Sequence, residues 1–581
     1  MPGLEETMRI GRRLVTLLAT AGLVCVALPS AAQAHPPGHD GGLQRVDHIV
    51  VIYEENHSFD NLLGRWPGVD GLARDPASTP RATQVGPDAA RTPWNCLLQL
   101  DVNLTSPPLS TVCSGTTPAG TAFDSHFRNR PFPIDAFIAP TDTTCPPPGV
   151  FAANGVPKGS GLPGGCTRDL VHRFYNEQYQ IDGGRMDRYS TGSDAAGLTQ
   201  GFYDTRQLPI YQYLTGKHAP RSVVLDRFFQ SAFGGSYLNH QWLVAARTPV
   251  YLNAVADGSS ADLHSVVGAD GFPANTPLHP TTGLKDAALT QAANPDGSCL
   301  VRAGQPTPPL GTVCGDWSIN TIQPPFQPFA PGTAAANRLP AQTYANIGTR
   351  LSAAGLSWAW YSGGWDNADG NVNGRGWTNG DTPGTCTDPQ HLATAVYPNC
   401  PDALFQFHHQ PLNYFAEFAP GTAARARHLR DEQDFLHQVK TGTLPGVSFV
   451  KPVGEENEHP GYASVSAGQE HLVALLKAIE ASPQADSTAV VVTYDEFGGQ
   501  WDHVRPPTGP GVSDRWGPGT RIPAMVLSPL LPRRAAVDHV QYDTASILHM
   551  IERRFDLAAL GPRDAADHDL GRILRRGLQP L

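Results

Sequence analysis

Apolar residues in this chain come in short β-branched runs closed by turn residues. RVDHIVVIY (45–53), RSVVLDRFF (221–229), GVSFVKP (446–452), STAVVVTY (487–494) and RIPAMVLSP (521–529) each fit a buried strand. Between and after them the apolar period lengthens. HLVALLKAIEAS puts Leu472, Leu475, Leu476 and Ile479 on one helix face, and SILHMIERRFDL follows the same rule. Strands alternating with helices predict an α/β fold with a mostly parallel sheet. Residues 250–345 break the pattern: they are rich in Ala, Gly, Pro and Asn and have little periodicity. They read as a loop-rich insertion over the active face of a single domain spanning 35–581.

The N-terminal run has another logic. Arg9, Arg12 and Arg13 precede LVTLLATAGLVCVAL, and SAAQA offers Ala32 and Ala34 as an A-x-A cleavage site. Residues 1–34 are therefore expected to be an export signal, with Met8 an alternative start and Arg12-Arg13 a loose twin-arginine feature. The apolar run is shorter than the roughly 20 residues of a membrane span, so no stable membrane anchor is expected. The destination is periplasmic or extracellular. Eight cysteines remain after Cys25: Cys96, Cys113, Cys145, Cys166, Cys299, Cys314, Cys386 and Cys400. CLLQLDVNLTSPPLSTVC and CLVRAGQPTPPLGTVC share one frame, which favours pairing of sequence neighbours in an oxidising compartment. No C-x-x-C occurs. Charged residues are 16% of the chain and net charge is −11, with no basic stripe, which argues against nucleic acid as a partner.

Candidate chemistry gathers where apolar runs stop. The first predicted strand ends in Glu54, Glu55 and Asn56, and the fourth in Asp495 and Glu496. Strand carboxyl ends are where parallel α/β sheets bind ligands. Either acidic pair alone reads as a solvated cap. Two such pairs offer four oxygen donors, which suits one hard divalent cation such as Ca, Mg or Mn. In FFQSAFGGSYLNHQW, two glycines let the backbone approach a ligand and place Ser236 as a candidate nucleophile; a plain turn is the alternative. His126, His172, His240, His408, His409, His459 and His503 are candidate phosphate contacts or metal ligands. Trp358, Trp360, Tyr361 and Trp365 fit either a core strand or an aromatic cage for a quaternary ammonium.

These pieces occur in a recognisable order. VDHIVVIYEENHSFDNLLG, DLVHRFYNEQYQIDGGRMDRY, FGGSYLNHQW, NEHP, TYDEFGGQWDHVRPP and YDTASILHMIERRF together resemble the bacterial phosphoesterase family of phospholipases C and metal-dependent acid phosphatases. That resemblance implies an alkaline-phosphatase-like sheet with helices on both faces and long disulfide-bearing loops. It implies Glu55, Asn56, Asp495 and Glu496 as ligands of one metal, and Ser236 as nucleophile through a phosphoserine. His172, His408, His409 and His459 would hold phosphate oxygens or move protons, with His126 an alternative to His172. GGSYLNHQ and the His408-His409 pair look like the acid phosphatase branch, which points to small phosphate monoesters. Phospholipase C cleavage of headgroup phosphodiesters is the alternative.

Overall fold

The computed structural model describes residues 41–97, 128–135, 138–142, 169–193, 196–251, 317–329, 333–379, 404–460, 463–532 and 535–574, with the backbone of 114–116 and 122–124. The predicted export signal, His126 and most of the insertion at 250–345 lie outside the described residues. Gly41–Leu581 forms one compact unit.

Its centre is an eight-stranded sheet. The strands are β1 (His48–Glu54), β2 (Ser222–Leu225), β3 (Trp358–Ser362), β4 (Leu429–Asp431), β5 (Val447–Lys451), β6 (Thr488–Tyr494), β7 (Ala524–Leu527) and β8 (Ala536–Asp538). They lie in the order β8-β2-β7-β6-β1-β5-β3-β4. β1 is flanked by β6 and β5, both parallel to it. A strand covered on both faces needs no polar alternation, which is why HIVVIYE and TAVVVTY read as continuous apolar runs.

The expectation of a mostly parallel sheet with disulfide-bearing loops is corrected in two respects. The sheet is mixed, because β7 runs antiparallel to both β6 and β2. Residues 495–523 leave the carboxyl end of β6 and re-enter at the same edge without a crossover helix, and such a return forces an antiparallel partner. An apolar run such as RIPAMVLSP carries no sign of its direction. Of the eight cysteines only Cys96 belongs to the described residues, and no disulfide pair is defined among them. Every predicted pairing has at least one member outside them, so no disulfide-bearing loop is seen among the described residues.

The helices that position the site are α1 (Phe59–Leu63), α2 (Phe174–Ile181), α3 (Ser236–Ala245), α4 (Glu432–Thr441), α5 (Val465–Glu480) and α6 (Ala545–Phe555). Successive strand residues point to opposite faces. Trp360 meets His240 of α3, whereas its neighbour Tyr361 meets Phe435 and Gln438 of α4. α5 buries the predicted Leu472, Leu475, Leu476 and Ile479. The aromatic run resolves as core: Trp358 stacks on His428 at 4.1 Å and Trp360 on Phe449 at 5.2 Å.

Candidate active site

β1 and β6 are adjacent and parallel, so their carboxyl ends stand side by side. Asn56, just past β1, has φ 57°, a left-handed conformation that Asn tolerates better than most residues. The turn aims its N–H at Asp495 Oδ1, 3.0 Å away. Glu496 N donates to the same oxygen at 2.8 Å, and Gly498 N to Glu496 Oε2 at 2.7 Å. A side chain at Gly498 would put Cβ 2.2 Å from Asn56 O. The glycine after the acidic pair therefore lets the two strand ends close on each other.

Ser236 opens α3. Gly234, at φ 91°, makes the turn before it, and a Cβ there would stand 2.7 Å from Phe174 N. The buried Glu177 of α2 pins this turn by accepting from Gly234 N at 2.6 Å, Gln230 Nε2 at 2.9 Å and Thr520 N at 2.6 Å. Burial pushes the Glu177 carboxyl up to about 8. As a result Ser236 Oγ donates to Glu55 Oε2 at 3.2 Å and Asn56 Oδ1 at 3.3 Å. The candidate nucleophile is thus joined to two of the four predicted metal donors.

The imidazoles crowd the same point. His240 Nδ1 faces Ser236 O at 2.8 Å; a carbonyl only accepts, so Nδ1 carries the proton and Nε2 keeps its lone pair. His409 Nε2 lies 3.1 Å from Glu55 Oε1, and the His240 and His409 rings stack at 5.1 Å. His408 meets both rings edge-on. His459 donates from Nδ1 to Pro460 O and accepts at Nε2 from Asn56 Nδ2 at 3.1 Å. His172 is half-buried at the rim, with Nε2 3.7 Å from Glu496 Oε1.

Lys451, at the end of β5, is the residue that sequence reasoning missed. Fully buried, its Nζ lies 2.6 Å from Glu55 Oε1 and donates to Tyr53 O at 2.9 Å. Burial would raise the Glu55 carboxyl, but the His409 imidazole and the Lys451 ammonium hold it well below the usual range. Burial and then Glu55 push Asp495 well up, and burial and then Asp495 do the same to Glu496. Burial also pushes His240, His408 and His459 down, and His409 down to about 4. Burial thus favours the neutral imidazole at these positions.

The donor set fits a divalent cation. Asp495 Oδ2, Glu496 Oε1 and His240 Nε2 are buried with no hydrogen-bond partner, a costly state unless a cation satisfies them. Glu55, His240 and His409 bring ligand atoms within 4.8 Å of one another. The chain thus holds a His/Asp/Glu cluster able to bind one divalent ion.

Asp502 and His503, which follow the acidic pair in sequence, serve elsewhere. Buried Arg521 donates to Asp502 at 3.1 Å and to Asp60 Oδ1 at 3.0 Å, while His503 Nδ1 donates to Asp60 Oδ2 at 2.6 Å. Asp60 and Asp70 raise the His503 imidazole to about 10 despite its burial. With two cations already inside it, this cluster is an internal ion network that ties the 495–523 loop to α1.

Over 94% of its length the chain is 23% identical to "Phospholipase C A" of Mycobacterium tuberculosis, covering 80% of that protein. It is likewise 23% identical to "Phospholipase C B" of the same organism, over 89% of this chain and 74% of that one. A shorter stretch, 21% of the chain, is 33% identical to "Non-hemolytic phospholipase C" of Burkholderia pseudomallei, covering 21% of that protein. A solved protein of the alkaline phosphatase superfamily from Vibrio parahaemolyticus shares 13% identity over 39% of this chain and 50% of its own, with a TM-score of 0.21, too small a likeness to add to the argument. The phosphoesterase family model matches residues 46–127 and 157–558, and these take in every residue of the site just described; the chain belongs to the phosphoesterase family.

Proposed function

We propose that this phosphoesterase-family hydrolase is a phospholipase C-type enzyme that cleaves phospholipid headgroup phosphodiesters with Ser236 as nucleophile. The observation that carries the nucleophile is its hydroxyl at the start of α3, hydrogen-bonded to Glu55 and Asn56. The diester substrate class rests on near full-length similarity to proteins named phospholipase C.

In this reading Glu55, Asn56, Asp495 and Glu496 hold the divalent ion, with His240 and His409 beside them. When bound, the ion would lower the hydroxyl pKa of Ser236 and polarise a phosphoryl oxygen. Ser236 Oγ, its proton released to solvent, forms a bond to phosphorus as the bond from phosphorus to the diacylglycerol oxygen breaks. His172, 22% exposed at the rim of the site, gives that oxygen its proton. In the second step a water oxygen bonds to phosphorus, its proton passes to the now neutral His172, and the Oγ–phosphorus bond breaks to regenerate Ser236. Lys451 and His409 keep Glu55 ionised throughout, and Asn56 holds His459 by its amide. Export belongs to the same proposal and rests on the Arg9-to-Ala34 pattern. No helix among the described residues is long and apolar enough to cross a membrane.

A second reading, acid phosphatase action on monoesters, is favoured by GGSYLNHQ and by the His408-His409 pair against His240. The deciding experiment compares a phosphatidylcholine-type diester with an aryl phosphate, using purified wild type and Ser236→Ala in divalent metal. Diester turnover that vanishes in the variant supports the phospholipase reading. Turnover of the monoester alone supports the second. Equal turnover by Ser236→Ala and wild type would sink both.

A further inference from the structure

Away from the metal cluster, a solvent-open pocket of about 610 Å³ is walled by three arginines, Arg81, Arg185 and Arg505. They come from three separate segments. Arg81 is held in place by Nη1 donating to His503 O at 3.1 Å. Arg505 follows two residues after His503, and its stem lies over Gly184, which sits at φ 91°. A Cβ at Gly184 would stand 3.4–3.5 Å from that stem, ordinary van der Waals contact, so it is the positive φ and not the space that calls for glycine there. Arg185 comes next in sequence, past the end of α2.

The charges here do not cancel. The one carboxylate in the wall, Asp187, is engaged by Arg91 at 2.6 Å. Asp182 also faces Arg91, at 2.5 Å, and reaches Arg185 only at 3.6 Å. Arg505 makes no ion pair with any carboxylate among the described residues. Like charges gathered around one cavity repel each other unless an anion joins them, and guanidinium forks match phosphate oxygens best. Thr79 and Thr83 add hydroxyls to the same wall.

We propose that this pocket is a second phosphate-binding site, distinct from the metal cluster, and that it takes a phosphate-bearing anion. The pocket shares two segments with the catalytic face. α2 runs from beside His172 to Gly183–Gly184, about 12 Å at 1.5 Å per residue. Arg505 lies on the same 495–523 loop as Asp495 and Glu496, ten residues past Asp495. An anion held there sits roughly one short helix away from the reacting group. The phosphate can belong to free phosphate or to the headgroup of an anionic lipid.

The test uses full-length protein and the double variant Arg185→Gln/Arg505→Gln, both on exposed side chains outside the catalytic set. Inorganic phosphate is titrated calorimetrically into each. Wild type should show two binding events, and the variant should lose one with at least a tenfold weakening, while kcat on a soluble aryl phosphodiester stays unchanged. A second arm measures co-sedimentation with phosphatidylcholine vesicles, with or without phosphatidic acid. Retention on phosphatidic acid vesicles that is lost in the double variant assigns the site to a lipid headgroup. Two phosphate events without vesicle retention assign it to free phosphate. A single phosphate event, identical in both proteins, together with no difference in vesicle binding, would overturn the proposal.

Discussion

Lys451→Met removes the buried cation beside Glu55 and keeps a chain of similar length. Wild type places Nζ 2.6 Å from Glu55 Oε1 and 2.9 Å from Tyr53 O, with both side chains shielded from solvent. Deleting one partner of a buried pair costs about 3–5 kcal/mol, because the remaining charge is left in low dielectric. The Tyr53 carbonyl also loses its donor. His409, 3.1 Å from Glu55 Oε1, offsets part of this, since it still faces the carboxylate. A loss of about 3 kcal/mol in chelator is therefore expected. A divalent ion bound by the same carboxylates would replace the missing positive charge, so the variant should bind it more tightly than wild type and the deficit should shrink as metal is added, by about 1.4 kcal/mol for each tenfold difference in Kd. Urea unfolding followed by tryptophan fluorescence reads this directly, since Trp242, Trp360 and Trp365 are fully buried. The experiment compares both proteins in chelator and in excess metal. Equal stability in chelator, or a deficit untouched by metal, would refute the role given to Lys451.

Asp495→Asn and Glu55→Gln each remove an anionic ligand, so elemental analysis should show lower metal content and activity should fall in parallel; full metal with full activity would reject the ligand assignment. Gly234→Ala forces a Cβ to 2.7 Å from Phe174 N at φ 91°; strain of about 1–3 kcal/mol and displacement of Ser236 should lower kcat by roughly 100-fold with secondary structure intact by circular dichroism. The His503 imidazole, raised to about 10 by Asp60 and Asp70, has a folded pKa above its unfolded value near ~6.5. Its contribution is complete below that value and fades as pH rises toward about 10. Denaturation midpoints should fall over that window in wild type and less in His503→Asn, and parallel profiles would argue against the network.

These two strand ends were legible because their apolar runs stop abruptly on carboxylates; Glu55-Asn56 and Asp495-Glu496 follow directly from β1 and β6. Ser236 was legible from its glycines. Lys451 was not, since VKP at a strand end reads as a solvent-facing lysine, and only the register of β5 beside β1 brings it under Glu55. Asp502 and His503 share a motif with the acidic pair, but their partners Asp60 and Arg521 lie in other segments, which the motif alone does not show. The direction of β7 was invisible, because strand polarity is set by where the connecting loop re-enters. Glu177, which pins the serine turn, looks like an ordinary helical glutamate until Gly234 and Thr520 are seen to converge on it.

The hydrogen bond between Asn56 and Asp495 joins residues 439 positions apart, and this has a consequence for how the molecule is born. A chain emerging from the ribosome makes β1 first, yet both of its neighbours in the sheet are synthesised near the end. The central strand must wait, unpaired, for most of translation. No N-terminal fragment ending before β6 can contain both halves of the cradle, so incomplete chains are inert from the outset. If export proceeds before folding, the enzyme stays silent within the producing cell and becomes competent only after the last strands arrive on the far side.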